Sequence, residues 1–465
     1  MERFSETKLF TGNSDAKISV DAKFISKPTL LFSQEVIEQF IDHLHDNKEA
    51  LRECALVCRA WVPRSRYHLF ESVTISPPRS TPIDGRYPFS DLIASLNHPL
   101  CTFASSVRKI SISDPEYIVA WGAGSRKMAD SNWINPFALH LDKLRSVTLL
   151  DVTLLHRVTV NCFKSITLIK PTFAIQITHL VLDVSYFPSR QSKEIMKIIH
   201  SFSSLAHLQI EYDNEDTDSH SNSWVSTDTT VSLEVLPSKQ LKELVIYSHE
   251  TVEIPLFIQL LLLWFRESQT RISTLSFSTL SIKSDDEIIT TSPNPLARYL
   301  KFLGPSLKSL ALTFNDFASI RHFHDSFEIT QNTRINVLEV GYPKAFNTNQ
   351  EVFEDLHFYS KLLPTFLSRV PTTTLTRIIL NLWIQYLDQG FMHSVLQVEN
   401  LRLKDTVVPW FSLDDLLIGP SFSVLTEVIF HVYRYNSFPW FEAKKYVESR
   451  LPKCKERGLL HIITI

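Results

Sequence analysis

Two cysteines in the segment EALRECALVCRAWVPRSRYHLF, residues 49–70, are the side chains whose spacing could support metal chemistry. Cys54 and Cys58 are four residues apart, so a helix would place both thiols on one face, as two ligands of a tetrahedral zinc ion. Two more ligands are needed, and the nearby His43 and His45 point to different faces of their own predicted helix. We therefore interpret both cysteines as small buried core residues and predict no metal site.

Motifs for catalysis are equally scarce. Glycine accounts for nine of the 465 residues, about 2% against a usual share of roughly 7%. Phosphate-binding loops and nucleophile elbows depend on glycine for tight turns and close backbone approach. The segment WGAGSRK, residues 121–127, comes nearest but lacks the GxxxxGK(S/T) spacing, and HExxH, GxSxG and CxxC do not occur. The sequence predicts a protein that is not an enzyme, with no catalytic residue and no cofactor.

The composition describes a folded chain without a strong electrostatic preference. Hydrophobic residues make up 44% and charged residues 21%, and the net charge of −3 gives no general attraction for nucleic acid. Five scattered cysteines favour a reducing compartment, so we predict a cytoplasmic or nuclear protein. The most apolar window, Ile254–Phe265, is shorter than the roughly 20 residues that cross a bilayer, so we predict a buried helix and no membrane partner.

Apolar residues recur at helical spacing near the start of the chain, in FSQEVIEQFIDHL, residues 32–44. The stripe consists of Val36, Ile37, Phe40, Ile41 and Leu44. A second helix is predicted to begin at a capping-box-like Asp46 and to end at Pro63, with a short third helix in RSRYHLF. Three short helices cannot bury a sizeable core. This module should therefore pack on the rest of the chain or on a partner.

The same module resembles the F-box, most closely the version found in large families of fungal F-box proteins. The F-box pattern runs Leu-Pro-x-Glu, Ile-x-x-Leu, CxxVCRxW and RxxLF, and here Phe32-Ser33 stands where the pattern has Leu-Pro. The matching positions are Glu35, Val36, Ile37, Ile41, Leu44, Leu51, Cys54, Val57, Cys58, Arg59, Trp61, Arg66, Leu69 and Phe70. The resemblance implies a three-helix F-box that binds a Skp-type adaptor and, through it, a cullin. The implied adaptor-binding residues are Phe32, Ser33, Glu35, Val36, Ile37, Ile41, Leu44, Leu51, Val57, Cys58 and Trp61.

The rest of the sequence contains short runs with apolar residues at the first, fourth and sixth positions and mostly polar residues between them. They begin at residues 107, 144, 163, 177, 205, 241, 272, 307, 335, 375, 398 and 425. Their mean step of about 29 residues fits the upper end of the leucine-rich-repeat range. Helical patterns lie between several runs, most clearly in LKFLGPSLKSLAL, residues 300–312. We predict an α/β fold in which the F-box precedes an irregular leucine-rich-repeat-like solenoid with a parallel curved sheet. The alternative is an irregular α/β domain with a parallel sheet.

These patterns divide the chain into three parts. We predict a flexible tail at 1–29, the F-box at 30–76 and a leucine-rich-repeat-like substrate-binding domain at 77–465. The acidic, Ser/Thr-rich insertion at 211–230 is predicted to be a flexible loop, with regulated phosphorylation as the alternative. Residues 440–458 alternate apolar and charged side chains at helical spacing, and residues 440–465 are predicted to cap the array.

Polar positions within the runs supply the predicted substrate surface, on the concave face of the solenoid. The residues are Arg108, Arg145, Lys164, His179, His207, Lys242, Lys308, Arg377 and Arg402. Lys and Arg outnumber acids at the polar run positions that we expect on this face, although the whole chain is net negative, which favours an acidic or phosphorylated peptide. The alternative is that they are ordinary solvated strand residues.

Together the two parts resemble the substrate receptors of SCF-type (Skp–cullin–F-box) ubiquitin ligases. In that family the F-box docks on the adaptor and the repeat domain presents an unknown protein substrate, so the chain acts by proximity. The alternative function is a non-catalytic interaction scaffold that takes no part in a ubiquitin ligase.

Overall fold

The computed structural model describes residues 32–75, 90–99, 101, 103–112, 140–153, 171–184, 192–212, 235–248, 256–280, 295–314, 323, 329–342, 362–384, 410–434 and 440–464. The chain divides into two compact units, Met1–Leu69 and Phe70–Ile465. The predicted tail at 1–29 lies outside the described residues, as does all but Glu211 and Tyr212 of the predicted insertion.

Three short helices follow one another from residue 34 to residue 70. They are α1 (Gln34–Asp42), α2 (Lys48–Val57) and α3 (Val62–Phe70). Their small apolar core consists of Ile37, Ile41 and Leu51, with the partly buried Leu44, Trp61 and Leu69 packed against it. Because so few apolar side chains are buried, this helical unit depends on polar contacts as well.

Polar side chains mark the beginnings of α1 and α2. Ser33 Oγ accepts a hydrogen bond from the N–H of Val36 at 3.4 Å, and Asn47 Oδ1 accepts one from the N–H of Ala50 at 3.0 Å. Both bonds satisfy N–H groups that have no partner inside the helix. The predicted start of α2 at Asp46 is therefore one residue too early.

The end of α2 also differs from the prediction. The helix ends at Val57, and Cys58 is already extended, with φ −162° and ψ 166°. Pro63, which we expected to end α2, instead lies in the first turn of α3. Proline is well tolerated there because the first N–H groups of a helix make no helical hydrogen bond.

The second unit contains a sheet of 12 strands whose spatial order is their order in the chain. The strands are β1 (Ser72–Ile75), β2 (Lys109–Ile112), β3 (Leu149–Thr153), β4 (His179–Asp183), β5 (His207–Tyr212), β6 (Glu243–Ser248), β7 (Thr274–Leu280), β8 (Ser309–Phe314), β9 (Val337–Tyr342), β10 (Arg377–Ile384), β11 (Glu427–Arg434) and β12 (Leu460–Thr464). Every neighbouring pair is parallel. The predicted α/β class and parallel sheet are confirmed.

Helices lie between the strands along the chain. The described α-helices of this unit are α4 (Ser90–Asn97), α5 (Pro171–Gln176), α6 (Ser192–His200), α7 (Leu256–Glu267), α8 (Pro295–Leu303), α9 (Leu363–Leu367), α10 (Phe411–Ile418), α11 (Trp440–Arg450) and α12 (Pro452–Glu456). Short 3-10 turns occupy Leu141–Lys143, Gly304–Ser306, Ile329–Gln331 and Pro420–Phe422. Buried side chains of helices and strands belong to one continuous apolar core.

The unit formed by α8 and β8 shows how the sequence produces this arrangement. The buried residues of α8 are Leu296, Tyr299, Leu300 and Leu303, which form one helical face. Gly304 has φ +47°, a conformation that favours glycine, and it ends the helix before Pro305. In β8 the residues alternate between half-buried and buried. The predicted order of helix, Gly-Pro stop and strand in 300–312 is confirmed.

The chain also enters its strands in a repeated way. Before β8, the N–H of buried Leu307 donates to the C=O of Gly304 at 3.4 Å. The C=O of the next residue, Lys308, then accepts N–H groups from Asn336 and Val337 at 2.8 and 3.2 Å. Equivalent paired bonds align the other strand starts along the sheet. Their acceptors are the C=O groups of Arg108, Thr148, Thr178, Ala206, Lys242, Ser273, Asn336 and Thr376.

Most predicted runs lead into strands. In one of them the alignment of the run with its strand differs from the prediction. The runs at 163 and 398 lie outside the described residues. In the run at 144, β3 begins only at Leu149, so Leu144 and Val147 belong to the preceding turn. The run pattern fits the apolar residues at 144, 147 and 149, and it fits those at 147, 150 and 152 equally well. The second alignment is the correct one, because Leu150 and Val152 are the buried residues of β3.

Two strands were not among the predicted runs. β1 lies within the range 30–76 that we assigned to the F-box, yet it pairs with β2, and the boundary between the units falls at Leu69–Phe70. β12 lies in the predicted cap at 440–465, which otherwise consists of α11 and α12. The segment of β1, FESVTI at 70–75, does have the run pattern, and it was missed because we assigned these residues to the F-box. β12 was missed because we assigned its residues to the cap.

The predicted buried helix at 254–265 is α7, whose Leu262, Trp264 and Phe265 have no exposed surface. Trp264 Nε1 donates to the C=O of Val235 at 2.7 Å, which satisfies its buried polar atom. No helix among the described residues combines the length and the apolarity that crossing a bilayer requires.

Candidate protein-interaction surfaces

The helical unit exposes several large apolar side chains. Phe32, Val36 and Phe40 are 63%, 49% and 54% exposed, and Leu56 and Val57 at the end of α2 are 79% and 61% exposed. Val36 and Phe40 are four residues apart in α1 and therefore lie on one face. We call these five residues the apolar surface of the helical unit. Exposed apolar residues gathered in so small a unit are typical of an interaction site.

The predicted adaptor-binding residues separate into two groups. Phe32, Ser33, Glu35, Val36 and Val57 are exposed, whereas Ile37, Ile41 and Leu51 are buried in the core of the helical unit. Leu44, Cys58 and Trp61 are partly buried. Buried residues shape the unit, and only the exposed ones are available to a partner.

Two members of the apolar surface, Phe40 and Leu56, were not among the predicted adaptor-binding residues. Phe40 is on the same helical stripe as Val36, and its ring lies 6.0 Å from the Trp61 ring. Spacing in the sequence identifies Phe40 as apolar and helical. Spacing does not distinguish the core side of the broad stripe from the exposed side, so Phe40 was missed. Leu56 of α2 was missed because it occupies no position of the F-box pattern.

An ion-paired cluster joins α1 to α3. Asp42 accepts hydrogen bonds from Arg64 Nε at 2.5 Å, Arg64 Nη2 at 2.7 Å and His68 Nε2 at 2.8 Å. The Arg64 guanidinium, and then His68, hold the pKa of the Asp42 carboxyl well below its usual range. Sequence reasoning missed this cluster because its members are 22 and 26 residues apart.

Cys54 and Cys58 do not share a helical face. Cys54 is buried within α2, and burial raises the pKa of its thiol, whereas Cys58 lies beyond the helix in extended backbone. The i, i+4 geometry considered for zinc is therefore wrong. Among the residues that the structure describes, no group of three or more His, Cys, Asp or Glu side chains is placed to hold a metal ion.

The sheet has a half-exposed face, formed by the strand residues that alternate with buried ones; we call it the open face. Its ionisable residues are Lys109, Asp151, His179, Asp183, His207, Glu211, Glu243, Tyr247, Glu339, Arg377, Glu427, His431, Tyr433 and His461. Acids outnumber Lys and Arg in this set. Several of the charges are paired, including Lys109 Nζ with Asp151 at 2.8 Å and Arg377 Nε with Glu427 at 2.5 Å.

The predicted substrate-binding residues occupy different positions. His179, His207 and Arg377 lie on the open face. Arg108, Lys242 and Lys308 are exposed and each precedes the first residue of its strand, while Arg145 lies in the turn before β3. Lys164 and Arg402 lie outside the described residues. Positive charge is thus located at the strand starts, and negative charge predominates farther along the strands.

Two histidines lie side by side on adjacent strands of the open face. His179 of β4 and His207 of β5 are register partners, and their rings stack at 4.1 Å with an angle of 4°. His207 Nδ1 lies 2.5 Å from Glu243 of β6, and His179 Nδ1 lies 2.8 Å from Thr178 Oγ1. Burial, and then the neighbouring His207, lower the pKa of His179. The stack forms a flat, partly exposed surface beside a carboxylate.

No protein-family model matches this chain. No curated protein matches it either. The two surfaces described above therefore carry the functional argument by themselves.

Proposed function

We propose that this protein is the substrate-recognition subunit of an SCF-type ubiquitin ligase. The observation that carries the proposal is the apolar surface of the helical unit, in which Phe32, Val36 and Val57 occupy positions of the F-box pattern and remain exposed. The three-helix arrangement and the separate core of Ile37, Ile41 and Leu51 support the same assignment.

Burial of this surface supplies the energy for docking. Transfer of one Val or Phe side chain from water into an interface stabilises a complex by about 1.5–3 kcal/mol. Five such residues can anchor an interface of ordinary strength once the cost of association is subtracted. In this proposal the adaptor covers the apolar surface, and the buried core residues contribute by holding α1 against α2.

Substrate binding belongs to the second unit in this proposal. The open face and the basic residues at the strand starts, Arg108, Lys242 and Lys308, receive the target protein. The chain performs no chemistry itself, because holding a target lysine near a loaded conjugating enzyme raises the effective concentration of the reacting groups. The leucine-rich-repeat-like character of the sheet unit is part of the same proposal.

A paired set of variants tests adaptor docking. The double variant Val36→Glu and Phe40→Glu places charge on the apolar surface and should weaken binding of purified Skp-type adaptor to the full chain by at least about a hundredfold. The control variant Gln39→Glu and Arg52→Glu changes two exposed polar residues of α1 and α2. It should leave the affinity within about threefold. Far-ultraviolet circular dichroism checks that both variants retain their helices.

The outcomes separate the proposal from its alternative. Equal loss of binding in the two double variants would show that the apolar surface is not the docking site. A wild-type chain that does not bind the adaptor at micromolar concentration would favour the interaction scaffold outside any ligase.

A further inference from the structure

The last strand of the sheet has an unusual edge. Among the described strands, β12 pairs on one side only, with β11. The C=O of Leu459 accepts the N–H of Val428 at 2.8 Å. Because successive residues of a strand direct their backbone groups to opposite sides, His461 and Ile463 also face β11. The N–H and C=O groups of Leu460, Ile462 and Thr464 face away from it.

This edge lacks the features that usually prevent strand association. Residues 459–464 read LLHIIT and contain no Lys, Asp, Glu, Arg or Pro. The register between β11 and β12 is continuous, so no bulge turns the strand away. Natural sheets protect their edges with charges, prolines, bulges or very short strands. At the opposite edge, β1 has four residues, one fewer than β12.

Apolar side chains accompany the edge. Ile463 is 46% exposed on β12, and Phe441 is 55% exposed on α11, a helix that contacts β12. Burial of such side chains stabilises an association that backbone hydrogen bonds alone would leave weak. The edge therefore offers both a row of backbone groups and apolar contacts.

We propose that β12 pairs with β12 of a second copy of this chain, antiparallel and about a two-fold axis, to form a homodimer with a continuous sheet. A second copy fits because the edge is self-complementary: each copy brings the same outward groups and no charged side chain of Lys, Arg, Asp or Glu in the strand. The inference does not depend on the ligase proposal.

The full length of the strand overlaps when Ile462 lies on the two-fold axis. Leu460 is then opposite Thr464 of the other copy, and His461 is opposite its Ile463. No like charges face one another in this register at neutral pH, and Ile462 contacts itself. Outward residues of both strands form hydrogen-bonded pairs, in which opposite Cα atoms are about 5.5 Å apart.

Sedimentation equilibrium of the full chain tests the dimer. Ile462→Pro removes an outward N–H but leaves the ladder to β11, and Ile463→Lys adds charge to the edge. We expect a concentration-dependent dimer for the wild type and dissociation constants at least about tenfold higher for both variants. The matched control is Thr74→Lys, an exposed residue of β1 at the other edge, which should leave the dimer unchanged.

A cross-linking variant keeps the test independent of any loss of folding. The double variant His461→Cys and Ile463→Cys should form intermolecular disulfides on mild oxidation, because these two positions face each other as a non-hydrogen-bonded pair with Cα atoms about 4.5 Å apart, which brings their Cβ atoms within the disulfide range. The wild-type chain, with its own five cysteines, is the control. A monomeric wild type at about 100 µM, a dimer that Thr74→Lys disrupts instead, or a dimer without this cross-link would each overturn the proposal.

Discussion

At the scale of single residues, Asp414 of α10 is the clearest case of a polar group with a structural role. Its side chain has no exposed surface, and its carboxylate accepts the N–H groups of Lys453 and Cys454 at 2.8 and 2.9 Å. These N–H groups belong to the first turn of α12, so Asp414 caps a helix that is distant in the sequence. Burial, and then the Asp414 carboxylate, raise the pKa of the Cys454 thiol, which stays protonated at neutral pH.

Removal of this cap should destabilise the sheet unit. Asp414→Ala leaves two N–H groups without an acceptor in a buried place, so we expect a loss of about 2–3 kcal/mol in the free energy of unfolding. The neighbouring Asp415 is exposed and pairs with Lys453 Nζ, and Asp415→Ala should cost less than about 1 kcal/mol. Urea denaturation of the full chain measures both; equal losses would contradict the assigned role.

A glycine ends the same helix, α12. Gly458 has φ +69°, its N–H donates to the C=O of Lys455 at 2.9 Å, and the N–H of Leu459 donates to the C=O of Cys454 at 3.0 Å. This pair of bonds is the Schellman ending of a helix. It directs the chain from α12 into β12, the strand on which the proposed dimer depends.

At the scale of helices and strands, the Asp42 cluster holds α1 to α3. Its carboxylate is 36% exposed, so solvent screens the interaction and its contribution is modest, about 1 kcal/mol or less. The cluster compensates in part for the small apolar core of the helical unit. It also makes the stability of that unit depend on pH.

The direction of the pH dependence follows from the lowered pKa of Asp42. The folded state binds a proton less readily than the unfolded state, so the contribution is fully present above the usual Asp value, roughly 3.9. It is lost as the pH falls below that value and through the lower folded-state pKa. Hydrogen exchange of peptides from α1 and α3, corrected for intrinsic rates, should show weaker protection at acidic pH in the wild type.

Asp42→Asn is the control for this prediction. Its helices should show lower protection at neutral pH and a smaller further decrease on acidification. An identical pH profile for wild type and variant would exclude Asp42 as the source.

The sequence predicted elements better than it predicted their ends. Apolar runs such as the one at Leu307 identified strands because buried and half-exposed residues alternate in them. The end of α2 at Val57 was missed, because Cys58 and Trp61 continue the apolar pattern after the helix has stopped. The strand frame at Leu144 was missed because apolar residues three apart allow two alignments.

The candidate surfaces were predictable only in part. The F-box pattern covers the segment that forms the helical unit, but Val36 and Ile37 are equally apolar, and only the packing of α1 separates the exposed residue from the buried one. Similarly, the charge of the open face depends on register. The predicted runs stop before Asp151, Asp183 and Glu211, although the strands continue through these residues. Their negative charge on the open face was therefore not expected.

At the scale of the whole molecule, the strand order follows the chain order throughout the sheet. Each strand therefore contacts neighbours that are close in sequence, as in other arrays of repeated elements. Such an array can present a long surface to a partner while its ends remain available for other contacts. In our account the open face serves the substrate and the β12 edge serves a second copy.

The central claim is that the helical unit joins this chain to a ubiquitin ligase. Its most direct test is calorimetric titration of the full wild-type chain with a purified Skp-type adaptor already bound to its cullin. We predict saturable binding, one chain to each adaptor, with a dissociation constant of about 1 µM or tighter. The absence of heat and of co-migration on gel filtration at about 50 µM of each component would contradict the claim.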